Sequence, residues 1–330
     1  MVSSPPVVYR RLGASGLRVS VPIFGAMSFG SDKWRKWILN EDQAIPLLKA
    51  AWDRGINTID TADVYSQGES ERIIGKFIKQ YDIPREKILI FTKCYFLCVN
   101  DPTIPTTGQN LEDTRDYVNQ SGLSRAAIFN AVDASLKRLE ISYIDLLQIH
   151  RYDPDTPPKE TMKALHDLVQ SGKVRYIGAS SMRTWQFSEL NHIAEMNGWT
   201  KFVSMQNEYS LVYREEEREM IPYCNAHGIG LIPWAPLNGG DLARSFDVTS
   251  ARKDSRQGIK MYSDADKTII NRVEEVAKKK GWNMSQVALT WLDKKVTSPI
   301  VGISSVERLE ANVITGKELT EEESRYLEEP

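Results

Sequence analysis

Four polar residues arrive where short apolar runs end. Asp60 closes one in TIDTADVY, Lys93 another in LIFTKC and His150 a third in DLLQIHR, while Tyr65 follows Asp60 by five positions. Each has an ordinary role when taken singly: a turn aspartate, a solvated lysine, a core histidine, a packed tyrosine. Together they describe one chemistry. A phenol has a reference pKa of about 10, too high for an efficient acid at neutral pH. A nearby ammonium lowers it, and Lys93 would supply that charge. A buried lysine needs a counter-charge, which Asp60 would provide. His150 would hydrogen-bond a substrate oxygen. The sum is a tuned proton donor beside an oxygen-binding pocket, suited to reduction of a carbonyl group.

Other chemistries fit less well. Of the four histidines, His166, His192 and His227 fall on helical patterns, so a multi-histidine metal site at the strand ends is not expected. Cys94 and Cys98 have no second Cys/His pair at finger spacing, and no GxSxG elbow is present. Three cysteines are too few and too odd a set for a disulfide framework and fit a reducing compartment. A formal net charge of −2 over 330 residues offers nothing to nucleic acid or an anionic membrane. The start, MVSSPPVVYRR, lacks the apolar core of a signal peptide, and no apolar run is long enough to span a bilayer. The expectation is a soluble cytoplasmic protein acting on a small molecule.

Something must bring the four residues together. Strand-like runs are predicted near Pro22–Ala26, Asn57–Thr61, Ile88–Lys93, Tyr143–His150, Val174–Ala179, Phe202–Gln206, Gly230–Trp234 and Ser298–Gly302. Helical patterns lie between them at Glu41–Arg54, Glu69–Gln80, Ser124–Leu139, Pro158–Ser171, Thr184–Asn197, Glu215–Ala226 and Ala265–Lys280, with Ser285–Lys294 before the last strand and Glu307–Val313 after it. This alternation predicts a (β/α)8 TIM barrel, whose C-terminal strand ends share one mouth. A doubly wound sheet is the rival, but FGAMSFGSDKW after the first strand lacks its GxGxxG loop. YRRLGASGLRVS predicts an N-terminal β-hairpin turning at Gly13–Gly16 and plugging the other mouth. Long loops follow strand three (94–123) and strand seven (237–264), as binding loops do. Residues 1–330 read as a single domain.

With these residues in view, the chain resembles the aldo-keto reductases along nearly its whole length. GINTIDTADVYSQGESERIIG resembles that family's Asp-Tyr motif and YIDLLQIHR its histidine motif. GKVRYIGASS, QNEYSLVYRE and SPIVGISSVERLEANV resemble its cofactor-side motifs. The flavour is that of the branch similar to aryl-alcohol dehydrogenases and versiconal hemiacetal acetate reductase. The resemblance implies an NADPH-dependent reductase of aldehydes or ketones with the tetrad Asp60, Tyr65, Lys93 and His150. It further implies that Ser180, Ser181, Gln206 and Asn207 hold the nicotinamide carboxamide and that Trp234 stacks on its ring. The loop with Leu237, Gly239 and Gly240 would close over the pyrophosphate. Asn238 and Gly239 stand where the commoner form has a small residue and an arginine, which leaves no cation there. Ser304, Arg308 and Asn312 would hold the adenosine end, Arg308 on the 2′-phosphate, although Gly302 replaces a common lysine.

By position, Phe29, Trp34, Tyr95 and Phe96 are candidates to line a substrate pocket. Two further readings stand beside the reductase. One is a cofactor-binding regulatory protein on the same fold with slow or no turnover. The other is an unrelated barrel lyase or isomerase for phosphorylated sugars, which would also use a phosphate site after strands seven and eight.

Overall fold

The computed structural model describes residues 7–104, 106, 110–249, 255 and 261–329. Two short strands, β1 (Val8–Arg11) and β2 (Arg18–Val21), pair antiparallel as a hairpin. Eight parallel strands follow: β3 (Ile23–Gly25), β4 (Thr58–Asp60), β5 (Leu89–Cys94), β6 (Ile144–Ile149), β7 (Val174–Ser180), β8 (Ser204–Gln206), β9 (Gly230–Leu231) and β10 (Ile300–Gly302). Their order is β10-β3-β4-β5-β6-β7-β8-β9. The two ends meet: Thr297 donates its backbone N–H to Leu231 (2.9 Å) and Ile300 to Pro233 (2.9 Å). This is the (β/α)8 barrel the alternation predicts. Every residue of β6 is buried, as a strand covered on both faces requires.

The outer layer comprises α1 (Glu41–Asp53), α2 (Glu69–Gln80), α3 (Arg125–Leu139), α4 (Pro158–Gln170), α5 (Thr184–Met196), α6 (Met220–Ala226), α7 (Asp264–Lys280), α8 (Met284–Asp293), α9 (Val306–Ala311) and α10 (Glu321–Glu328). Local chemistry sets their ends. Ser124 accepts the Ala127 N–H at the start of α3, and Gly281, at φ 64°, stops α7. Two helices depart from expectation. The predicted Glu215–Ala226 helix is a short 3-10 turn, Glu215–Glu217, followed by α6. The terminal α10 was not anticipated. Its signal was present, because Thr320 and Glu323 form a capping box ahead of EEESRYLE.

The hairpin seals the N-terminal end of the barrel. Leu12 and Val19 are fully buried with Ile23, Phe91, Leu146, Ile232 and Ile300. Gly13 (φ +59°) permits this closeness, since a Cβ there would lie 2.3 Å from the Gly228 carbonyl oxygen. Ala14 donates its N–H to that same oxygen at 2.7 Å. The C-terminal strand ends are left for chemistry. Two long connections leave from these ends, after β5 and after β9. Residues 105 and 107–109 of the first, and 250–254 and 256–260 of the second, lie outside the described residues.

Candidate active site

Lys93, near the end of β5, has no solvent exposure. Its Nζ donates to Asp60 Oδ1 (2.5 Å), to the Thr61 carbonyl (2.8 Å) and to the Tyr65 hydroxyl (3.3 Å). Neighbouring parallel strands produce this arrangement: Asp60 of β4 is in register with Phe91 of β5, and Lys93, two residues on, reaches back to it with its long side chain. The second Asp60 oxygen accepts from Gln148 Nε2 (2.9 Å) and from Gln206 Nε2 (2.9 Å), and Gln206 also donates to Gln148 Oε1 at 2.7 Å. Both glutamines are buried at inward positions of β6 and β8. The buried ion pair is thus hydrogen-bonded on both sides, the condition under which such a pair survives desolvation.

Tyr65 reaches Lys93 because the chain bends sharply after it. Ser66 and Gln67 adopt left-handed backbone, φ 52° and 54°. The bend is held from both flanks: Ser66 Oγ accepts the Ser31 N–H (2.8 Å), and Gln67 Oε1 accepts the Val99 N–H (3.0 Å). The tuning differs from the sequence expectation. Burial raises the Tyr65 pKa above the ordinary phenol value and outweighs the lowering by Lys93, while Asp60 adds to the rise. Tyr65 is therefore a neutral phenol, which carries the proton a donor must give. Burial also works against the Lys93 ammonium, but Asp60 and Tyr65 more than offset it and hold its pKa above the usual lysine value.

His150 follows β6 and is buried. Its ring stands edge-on to Tyr65, with centroids 5.8 Å apart, and to Phe96 at 5.2 Å. Burial, then the charges of Lys93 and Arg151, push its pKa well below the ordinary histidine value, so the imidazole is neutral. Its Nδ1 is buried without a hydrogen-bond partner. The four residues expected to converge do so.

Beneath them lies a second buried charge group that the sequence reading passed over. Arg138 Nε donates to Glu71 Oε2 (2.7 Å), and Thr92 Oγ1 donates to Glu71 Oε1 (2.5 Å). Asp63, three residues after Asp60, is buried beside them; burial and then Glu71 push its pKa up to about 8, against Arg138, the Val64 N–H and Lys93.

The predicted cofactor residues form a continuous arc along the adjoining strand ends. Ser180 Oγ donates to the Gln206 carbonyl (2.7 Å), Ser181 donates its backbone N–H to Asn207 Oδ1 (3.1 Å), and Trp234 Nε1 donates to Ser181 Oγ (2.9 Å). Asn207 is buried, and its side chain also hydrogen-bonds the Glu216 carboxyl, opposing the rise that burial gives the Glu216 pKa. Leu237 packs between core clusters, and Gly239 and Gly240 take φ 71° and 102° in the 3-10 turn Asn238–Ala243. Arg308 folds back on Ser304, while Asn312 is buried at the end of α9. No cation stands at Asn238 or Gly239. The loop does carry a cation: Arg244 lies beside Gly240, whose absent Cβ would sit 3.2 Å from its guanidinium. Burial, and then repulsion from Arg308, lower the Arg244 pKa against Asp241, so each guanidinium lies within electrostatic reach of the other. It was missed because loop residues carry no periodicity that reveals what they face.

The substrate candidates separate. Phe96 and Tyr95 meet edge to face at 5.0 Å, and Phe96 lies against His150. Trp34 is half-buried with the Arg35 guanidinium 5.1 Å from its ring centroid. Phe29 is corrected: it is fully buried against Phe24, in the core rather than at the mouth. An aromatic after a short strand is as apt for packing as for binding, and here the Phe29–Leu39 bridge draws it inward. Among the described residues, no cluster of His, Cys, Asp or Glu is arranged to hold a metal ion, and no helix is long and apolar enough to cross a membrane.

Comparison with known proteins shows the family. The model of the Aldo/keto reductase family matches residues 23–329. An aldo-keto reductase of Fusarium vanettenii is 55% identical, covering 99% of this chain and 92% of that protein. The versiconal hemiacetal acetate reductase of Aspergillus parasiticus is 51% identical over 98% of this chain and 96% of its own length. A Schizosaccharomyces pombe protein provisionally named an aryl-alcohol dehydrogenase is 49% identical over 100% and 97%.

Proposed function

This chain belongs to the aldo/keto reductase family and is an oxidoreductase, and from that premise we propose that it reduces aldehydes or ketones to alcohols using NADPH. The observation that carries the reading is Lys93 Nζ placed between Asp60 Oδ1 (2.5 Å) and the Tyr65 hydroxyl (3.3 Å).

NADPH, when bound, supplies the hydride. The residues present suit it. The half-buried Trp234 offers a flat face to a nicotinamide, and Asn207, at the end of β8, lies beside Ser181. Ser181 and the carbonyl of Gln206 would share the carboxamide with it. Gly239 and Gly240 allow close approach of a pyrophosphate. Arg244 and Arg308, each within electrostatic reach of the other, would receive phosphate oxygens, and two guanidinium groups favour the extra charge of the 2′-phosphate.

The remaining chemistry belongs to the chain. The neutral His150 hydrogen-bonds the carbonyl oxygen and polarises it without competing for the proton. Tyr65 donates its hydroxyl hydrogen to that oxygen as negative charge develops there. Lys93 stabilises the phenolate left behind, and Asp60, held by Gln148 and Gln206, keeps the ammonium charged and aimed.

Replacing Tyr65 by Phe removes the proton and keeps the ring. We expect kcat for an activated aromatic aldehyde to fall by about 10²–10⁴-fold with NADPH binding, read by tryptophan fluorescence, retained. Equal turnover by the two proteins would sink the assignment of Tyr65. Binding of NADPH without turnover of any aldehyde by wild type would favour a cofactor-binding regulatory role.

A further inference from the structure

Arg151 immediately follows His150 and has no part in the mechanism above. It is more than half buried, and among the described residues it makes no ion pair. Its Nη1 donates to the His150 carbonyl at 2.6 Å, and its guanidinium carbon lies 5.7 Å from the Phe96 ring centroid. Phe96 in turn stands edge-on to His150 and Tyr95. One anchored donor leaves most of a five-donor fork unengaged at the aromatic wall of the site.

Asp153, whose charge acts on Tyr95 as that of Arg151 does, is occupied elsewhere. Asp153 Oδ2 accepts the Leu123 N–H (2.6 Å) and the Thr156 hydroxyl (2.8 Å), and its Oδ1 accepts the Asp155 N–H (3.0 Å). Lys93, the other cation at the site, is already paired with Asp60. A half-buried guanidinium without a counter-charge is costly unless something else pairs with it. Here burial lowers the Arg151 pKa, with Tyr65 and Tyr95 opposing, which places the group within the electrostatic reach of the catalytic phenol.

We propose that Arg151 is a specificity-determining residue, and that the preferred substrates are carbonyl compounds carrying a carboxylate that Arg151 receives while the carbonyl meets Tyr65 and His150. This rests on the reductase reading. The planar fork suits a carboxylate bidentately, and the Phe96 and Tyr95 rings suit a planar spacer between the two groups.

The test compares 4-carboxybenzaldehyde with methyl 4-formylbenzoate in the NADPH-loaded enzyme; the ester is the more activated aldehyde, so a preference for the carboxylate runs against intrinsic reactivity. Wild type should favour the carboxylate by about tenfold or more in kcat/KM, chiefly through KM, and added salt should shrink that preference. Arg151→Met should abolish the preference for the carboxylate, bringing the ratio of the two kcat/KM values to one or below, and Arg151→Lys should restore part of it. Absence of a preference in wild type overturns the proposal without any variant, and so does a ratio that survives in Arg151→Met. Should wild type reduce the ester but not favour the acid, only this inference fails. Should it reduce neither, the reductase reading falls and takes this inference with it.

Discussion

The floor of the site and its rim handle charge in opposite ways. On the floor, Lys93 meets Asp60, Asp60 meets two glutamine amides, and Glu71 meets Arg138 and Thr92, all out of contact with water. At the rim, Arg151, Arg244 and Arg308 are partly exposed and have no carboxylate bonded to them among the described residues. A floor of this kind is assembled by folding and is ready before any ligand arrives. The rim has its positive charge in place and its negative charge still to come. Pre-set dipoles suit a reacting centre, where reorganisation would add to the barrier. Unpaired cations suit recognition, where the ligand completes the pair.

The largest expected effect comes from breaking the floor. Lys93→Met leaves Asp60 a buried, unpaired charge, and removal of one partner from such a pair costs about 3–5 kcal/mol of folding stability. Urea unfolding should show it as a lower midpoint at unchanged slope. Arg244→Met, by contrast, should unfold like wild type. If both variants unfold alike, the division into a structural floor and a recognition rim is wrong.

The same division explains what could be read from the sequence. Asp60, Lys93 and His150 each end an apolar run, so barrel topology alone brings them to one mouth, and all four tetrad residues were legible by position and chemistry. Gln148 was visible as a polar residue inside LLQIH, but its partner became apparent only when β4, β6 and β8 curl around one interior. The direction of the Tyr65 shift depends on how thoroughly the phenol is desolvated, which is a property of packing and not of spacing. Arg244 lies in a loop without periodicity. Arg151 was hidden by its neighbour, since the histidine motif ends there and draws attention to His150. The terminal helix α10 has scarcely an apolar stripe, with Leu327 its one buried residue, so only its capping box announced it.

A smaller effect should follow from altering the rim on the cofactor side. Arg244→Met removes one of the two guanidinium groups and is expected to raise the dissociation constant for NADPH by about tenfold, near 1.4 kcal/mol. Fluorescence titration would measure it. The loss should shrink as salt rises, because a partly exposed charge contact is screened. An unchanged affinity would remove Arg244 from the cofactor site and return that loop to the cation-free form expected from its sequence.

The smallest expected effect is an absence of titration, and it separates floor from rim most finely. With its pKa raised, Tyr65 keeps its proton at neutral pH, and the acid form needed for reduction is lost only above the ordinary tyrosine value of about 10. His150, with its pKa lowered, stays neutral on both sides of the ordinary histidine value of about 6.5 and charges only in stronger acid. Neither group should therefore give a limb in the pH profile of kcat between those values. Asp63 is the one group of this region placed to titrate inside that window, near 8. Its ionisation would put a charge beside Glu71 and behind the Tyr65 bend. A step near that pH that disappears in Asp63→Asn would assign the coupling to this carboxyl. A step that persists in Asp63→Asn would mean that Tyr65 itself is ionising there, with Lys93 prevailing over burial, and the floor would then be tuned by charge rather than by exclusion of water.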